Sequence, residues 1–206
     1  QATTYFAATS SIPHTTVIAP SCADEAESLM NQAIQRYASE RKAGNDGESS
    51  LFFVGRENYP IYWVENATYT WGKAQVISEG SDVTLIGSGP LFSKAQLAAS
   101  LLKDQGINAT VINNPFVNQV DIETIGAAVT KTGGKVVTIE DHQKIGGMGA
   151  QVSHALSDSG IPHQIKTLGI DGEFGQSAYM AEHLYEKHGL TADSMVNAAK
   201  ELLGKA

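Results

Sequence analysis

The sequence predicts an α/β fold: a three-layer α/β/α domain with a mostly parallel sheet, preceded by a partial α/β fragment. Three observations carry this. From about residue 80 onward, apolar runs of strand length alternate with helix-length segments, as in "DVTLIGSG" followed by "PLFSKAQLAASLLKDQG". Short glycine turns separate them, so successive strands are joined by helical crossovers, which forces parallel pairing and covers both faces of the sheet. The composition, 42% hydrophobic and 17% charged over 206 residues, is that of an ordinary globular chain with room for one sizeable core or two small ones.

The first strand is "HTTVIAPS" (14–21), rich in β-branched residues and ended by a Pro-Ser turn. Ser21 and Asp24 have the spacing of a capping box, which opens a helix reaching Tyr37–Ser39. "RKAGNDGESS" (41–50) concentrates turn residues and reads as a loop; "SLFFVG" (50–55) reads as a buried strand. Strand, helix, strand is the tail of an α/β domain. Residues 56–80 have little periodicity and lead into an extended stretch at Ala74–Ser78. Strands follow at 82–88, 107–114, 135–141 and 163–170. The helix after the first of these places Leu91, Ala95, Ala98 and Leu102 on one face and stops at Gly106. The next helix is capped by Asp121, a third occupies 146–160, and two more lie near Ala178–Lys187 and Thr191–Leu203. The expected organisation is a remnant domain over 1–58, a linker over 59–79 and a second domain over 80–206.

Net charge is −8, with acidic and basic residues interspersed, so nothing resembles a nucleic-acid patch or a polybasic membrane anchor. No apolar run approaches the roughly 18–20 residues of a membrane span. Cys22 is the only cysteine and has no internal disulfide partner, which points to a reducing cytoplasm. No His, Cys, Asp or Glu spacing reads as a metal set, and no metal ligand is assigned.

The stretch "VTIEDHQKIGGMGAQVSHAL" (137–156) places Glu140, Asp141 and His142 just before Gly146, Gly147 and Gly149. On a strand Glu140 and His142 share a side and Asp141 points away, so the three do not converge on one metal. The glycines allow a tight turn into a helix whose first amides favour an anion. A packing or turn role outweighs an anion site here, because neither the dinucleotide fingerprint nor a P-loop is present. The second turn, "GSGP" (87–90), reads as structural. Arg56 in "FFVGRENYP" follows a buried strand, where a planar guanidinium suits phosphate oxygens; on residue type alone it remains a surface charge.

"SDVTLIGSGPLFSKAQLAASLLKDQGINATVINNPFVNQVDIETI", followed by "KVVTIEDHQKIGGMGAQVSHAL", resembles the C-terminal domain of transketolase. Upstream, "SIPHTTVIAPSCADEAESLMNQAI" and "SLFFVGRENYP" resemble the end of that family's pyrimidine-binding domain. The resemblance runs over essentially the whole chain in order. It extends less closely to deoxyxylulose-phosphate synthase and to the β-subunit of 2-oxoacid dehydrogenases. It implies one portion of an enzyme that uses thiamine diphosphate and Mg2+ to move two-carbon ketol units between sugar phosphates. The cofactor would be held by an N-terminal half, and the assembly would be a homodimer.

On this resemblance the chain carries no catalytic residue and by itself binds no cofactor and is inactive. Arg56 matches the family's arginine for the substrate phosphate. His142, Gly146, Gly147 and Gly149 would serve packing and subunit contact, with a regulatory anion site as a secondary reading. Counted back from Ile12-Pro13, Gln1 falls on the last residue of a family Gly-Pro-Thr-His-Gln stretch whose histidine contacts substrate. Thr4 and Ser10 depart from the family's usual Glu and Arg. A non-catalytic anion-binding module of the same fold is the alternative from another functional class.

Overall fold

The computed structural model describes residues 2–205; the correspondence drawn for Gln1 lies outside the described residues. The chain opens with α1 (Tyr5–Ser10), β1 (Thr15–Ile18), α2 (Ala23–Lys42) and β2 (Ser49–Phe52). β1 and β2 pair in parallel, Thr15 opposite Ser49 through Ile18 opposite Phe52. There follow β3 (Gln75–Ser78), β4 (Val83–Gly87), α3 (Phe92–Lys103), β5 (Ala109–Asn113), α4 (Ile122–Lys131) and β6 (Lys135–Gln143). The chain ends with α5 (Met148–Asp158), β7 (Gln164–Ile170), α6 (Ala181–Lys187) and α7 (Ala192–Leu202). These strands form a second sheet in the order β3-β5-β4-β6-β7, parallel except for the antiparallel edge β3.

Every residue of β4 and β5 is buried, as a parallel sheet covered on both faces requires. Alternation sorts their side chains between two cores. Val83, Leu85, Val111, Val137 and Ile139 meet Phe92, Ala95 and Leu102 of α3 and Met195 and Ala199 of α7. Ile86, Ile112 and Val136 face the opposite way, onto Ile125 and Val129 of α4 and Met148 and Val152 of α5. The anticipated α3 stripe is thus a buried stripe. Asp121 caps α4 as its position suggested, accepting from the Thr124 amide at 3.3 Å.

β4 lies between β5 and β6, so the chain reverses direction across the sheet beside the carboxyl end of β4, where open α/β folds form a crevice. Here the opening residues of the chain occupy that end. Gly89 donates to the Ala19 carbonyl at 3.0 Å, and Ala19 donates to that of Pro115 at 2.8 Å. Val117 donates to the Val17 carbonyl at 2.9 Å and Gln143 to that of Thr3 at 2.7 Å. These contacts bury all four residues of β1.

Several elements differ from expectation. α1 had no signal: six residues are too short to be helical by propensity, and Phe6, 1% exposed, holds the turn by packing. The cap of α2 is built by Glu25 and not Asp24; its carboxylate accepts from the Ser21 amide at 2.7 Å and the Ser21 hydroxyl at 3.0 Å, while Asp24 is exposed. α2 continues to Lys42, beyond the expected stop at Tyr37–Ser39. β3 is the extended stretch expected at Ala74–Ser78, within the 59–79 linker; its pairing with β5, not anticipated from sequence, makes it part of the larger sheet.

Among the described residues β2 pairs with β1 alone, leaving the far edge of the smaller sheet open. On α2, Met30, Ile34 and Tyr37 recur at helical spacing and are 37%, 67% and 51% exposed, an apolar stripe facing outward.

Candidate substrate cavity and the carboxyl end of the central strand

Arg56 stands four residues beyond β2, after Phe53, whose amide donates to the Ile18 carbonyl at 2.8 Å and fixes the strand's exit. It lines a cavity of about 640 Å³ whose walls include Thr3, Asp141, Phe174, Tyr185 and His188. Arg56 is exposed and forms no hydrogen bond or ion pair with another described residue. Its loop is braced from inside: the Gly55 amide donates to the Tyr59 hydroxyl oxygen at 3.0 Å, and the Tyr185 hydroxyl donates to Glu57 Oε1 at 3.3 Å. Glu57 Oε2 is buried without a partner among the described residues. Burial pushes the Tyr59 phenol up to about 12 and the Tyr185 phenol upward too, with the carboxylates of Asp141 and Glu57 adding to both, so both remain neutral donors at neutral pH.

The cavity therefore holds one free guanidinium, neutral hydroxyls, and the carboxylates of Glu57, Asp141 and Glu182. Such a lining can clamp one anionic group at Arg56 and accept hydrogen bonds from hydroxyls beyond it. Three carboxylates disfavour a second anionic group in the same space.

The Glu140–Gly149 stretch does something else. Glu140, fully buried three residues before the end of β6, receives the Met148 amide at 2.6 Å and the Gly149 amide at 2.9 Å. The first free amides of α5, which an external anion would need, are already taken by an internal carboxyl group. Burial pushes Glu140 up to about 8 despite those two bonds. Gly147 makes the approach possible: a Cβ there would fall 2.2 Å from Glu140 Oε2. One on Gly149 would fall 2.4 Å from Thr138 Oγ1. Gly146, at φ +70°, turns the chain past α1, where a Cβ would sit 2.9 Å from that of Ala7.

His142 is a packing residue in this structure. Its ring stacks on Phe6 with centroids 3.5 Å apart and planes 5° from parallel, and meets Phe53 edge-on at 5.7 Å. Nδ1 lies 2.8 Å from Asp141 Oδ1; Nε2 is buried without a partner among the described residues. The strand alternation read from sequence separates the triplet as expected: of Glu140, Asp141 and His142, only Asp141 lines the Arg56 cavity. The structure does not bring Arg56 together with the glycine turn.

Sequence reasoning missed Glu25 and Gln143. Glu25 is 1% exposed, accepts from Asn113 Nδ2 at 2.6 Å, and is pushed up to about 7 by burial, against its bonds to Ser21 and Asn113. Its position three residues after Cys22, the true N-cap, was the available signal. Gln143 had none. Cys22 is 1% exposed, 3.3 Å from the Tyr69 hydroxyl, and burial pushes its thiol up, as expected for an unreactive cysteine. Among the described residues no three His, Cys, Asp or Glu side chains are grouped to hold a metal ion, and no helix is long and apolar enough to cross a membrane.

Comparison with known proteins agrees with the fold. The family model "Transketolase, C-terminal domain" matches residues 72–195. The chain is 38% identical over 138 residues to a 6-deoxy-6-sulfo-D-fructose transketolase subunit, SqwH, of Clostridium sp. (strain MSTE9), covering 67% of this chain and 42% of that one. It is 38% identical over 134 residues to the 1-deoxy-D-xylulose-5-phosphate synthase of Desulfitobacterium hafniense (strain DSM 10664 / DCB-2), covering 64% of this chain and 20% of that one. A solved split-gene transketolase, an inactive beta4 tetramer, superposes with a TM-score of 0.78 at 29% identity, covering 99% of this chain and 62% of its own. The chain thus spans less than half the length of these two curated relatives. With more than half of its residues matched and the same layered sheet, the chain belongs to the transketolase C-terminal domain family.

Proposed function

We propose that this chain is the C-terminal portion of a thiamine-diphosphate-dependent transketolase that moves two-carbon ketol units between sugar phosphates in the cytoplasm. The single observation that carries the reading is Arg56, an accessible guanidinium with no partner among the described residues, on the wall of a cavity otherwise suited to hydroxyls. In this role Arg56 clamps the sugar's phosphate and the carboxylates and phenols orient its hydroxyls. The described residues offer no metal donor set that would hold thiamine diphosphate with Mg2+. That chemistry belongs to an N-terminal half, and the chain by itself is inactive.

The open edge of β2 and the Met30–Ile34–Tyr37 stripe support such a partner, since an unpaired edge and an apolar helix face are what a neighbouring βα unit would cover. Self-association into at least a homodimer is part of the proposal, supported by the tetrameric assembly of the solved relative. His142, Gly146, Gly147 and Gly149 serve packing of α1 and α5 in this reading. A regulatory anion at the turn would have to displace Glu140.

The test is Arg56→Ala in the assembly restored with its cofactor-binding half. A remote phosphate contact is made equally in ground and transition states, so KM for ribose 5-phosphate rises while kcat changes little. The expected loss is about 1.5–3 kcal/mol, roughly tenfold to a hundredfold. Arg56→Lys recovers part of it, because an ammonium keeps charge without the planar fork. Equal losses on a short unphosphorylated aldehyde would refute the assignment. A second reading, synthesis of deoxyxylulose phosphate, is supported by the synthase relative at the same 38% identity. It is distinguished by donor: a 2-oxoacid releases CO2 on turnover and a ketose does not.

A further inference from the structure

Gln143 ends β6 and does not line the Arg56 cavity, yet it is bonded to two of the cavity's walls. Its main-chain amide donates to the Thr3 carbonyl at 2.7 Å, and its side-chain Nε2 donates to Thr3 Oγ1 at 3.0 Å. The same Nε2 donates to the Glu173 carbonyl at 2.7 Å, and Oε1 accepts the Gly172 amide at 3.0 Å. Thr3 lines the cavity, and so does Phe174, the residue after Glu173. The partners fix the amide's orientation: a carbonyl needs the NH2 group and an amide N–H needs the oxygen, so a flipped Gln143 would lose both bonds to the 172–173 turn.

Apart from Gln143, the turn is tied to β6 through Lys144, whose amide donates to the Ile170 carbonyl at 2.9 Å and whose Nζ donates to Asp171 Oδ2 at 2.7 Å; neither bond reaches Thr3. Thr3 belongs to the segment leading into α1, and the turn at 172–173 follows β7, the far edge of the larger sheet. Residues 171–175 are exposed, and Phe174 is 94% exposed, so burial does not hold this wall in place. A side chain that offers a donor and an acceptor in one rigid plane, standing between a carbonyl on one wall and a hydroxyl on the other, is a spacer between them.

We propose that Gln143 is a positioning residue that sets the separation of the Thr3 and Gly172–Phe174 walls, and thereby how tightly the cavity closes on a phosphate-bearing ligand held by Arg56. The proposal rests on the Arg56 reading for its ligand, but not for its geometry. A ligand in the cavity would never touch Gln143 and would nevertheless depend on it.

The experiment uses the full chain with Gln143→Met, close in volume but without the polar pair, and Gln143→Glu, which keeps an acceptor and loses the donor. Amide hydrogen exchange reads the geometry. The informative reporter is the main-chain amide of residue 143, which the substitutions leave intact and which bonds to Thr3. Its protection should fall about five- to tenfold in both variants, together with that of the Ala8 amide in α1, while amides of β4 and β5 stay unchanged. Calorimetric titration with ribose 5-phosphate reads the consequence: a loss of about five- to tenfold in affinity in Gln143→Met, with Arg56→Ala as the control that removes the clamp itself.

Unchanged exchange at residue 143 overturns the spacer. Altered exchange with unaltered affinity, while Arg56→Ala weakens binding, overturns the positioning role and leaves the Arg56 reading standing. No binding by the wild-type chain, alone or in its assembly, overturns the Arg56 reading and the ligand half of this proposal. The exchange result then decides the spacer by itself.

Discussion

Replacing Glu140 by glutamine should change how the stability of this chain depends on pH, and the structure sets both the sign and the size. Glu140 is fully buried, and burial pushes it from the ordinary 4.5 up to about 8 in the folded chain. In the unfolded chain it titrates near the ordinary value, so between those two values the folded state binds more protons. Stability contributed by the protonated group is therefore fully present below about 4.5 and is lost as pH rises through about 8. A shift of that size corresponds to about 5 kcal/mol across the window.

A glutamine side chain cannot titrate, so Glu140→Gln removes this slope. The substitution has its own cost: the new NH2 group would face an amide that now bonds a carboxyl oxygen, leaving a buried N–H unsatisfied at about 1–3 kcal/mol. The variant should be less stable than wild type near pH 5, and the order should reverse by pH 9. Urea unfolding at half-unit pH intervals is the assay. With m near 2–3 kcal/mol/M, the wild-type midpoint should fall by roughly 1.5–2.5 M more than that of the variant over the window. Parallel midpoint curves would refute the reasoning. They would mean that the two amides at 2.6 and 2.9 Å outweigh burial and keep Glu140 ionised throughout.

Other outcomes follow from the same contacts. Gly147→Ala should destabilise the chain by about 1–3 kcal/mol, measured by chemical unfolding, because the new methyl would lie 2.2 Å from Glu140 Oε2 and 2.4 Å from the Gln143 carbonyl oxygen. Phe6→Ala should cost about 3–5 kcal/mol and release α1 from His142, seen as loss of protection at the Ala8 amide; an effect below about 1 kcal/mol would mean α1 is not held by the stack. At Asp121, burial pulls the carboxyl upward, but bonds from Thr124, the Ala74 amide and Lys73 outweigh it and hold the group below its ordinary range. Its stabilisation is present above the ordinary Asp value and lost as pH falls through the lower folded one, so Asp121→Asn should flatten the acid limb of an unfolding profile.

The alternation of buried strands with helices carrying a three-four apolar stripe was enough, in residues such as Val83–Gly87 and Ala95–Leu102, to specify a covered parallel sheet. Period is a local property, and so is the helix cap at Asp121. Strand parity likewise separates Asp141 from Glu140 and His142. Other features depend on which segments meet, and no local pattern carries that. Phe6 helps make a helix only because His142 lies beneath it, and Glu25 rather than Asp24 reaches Ser21 because Cys22 adopts the extended N-cap geometry. The glycines at 146, 147 and 149 invited an external anion in sequence; in space, Glu140, six residues before the first of them, fills the helix terminus. Arg56 was nameable by resemblance, but its freedom from protein partners, and the role of Gln143 between Thr3 and Glu173, arise from contacts spanning up to 140 residues of chain. Local energetics write periodicity and caps into a sequence; the pairing of distant polar groups is decided only when the core brings their backbones together.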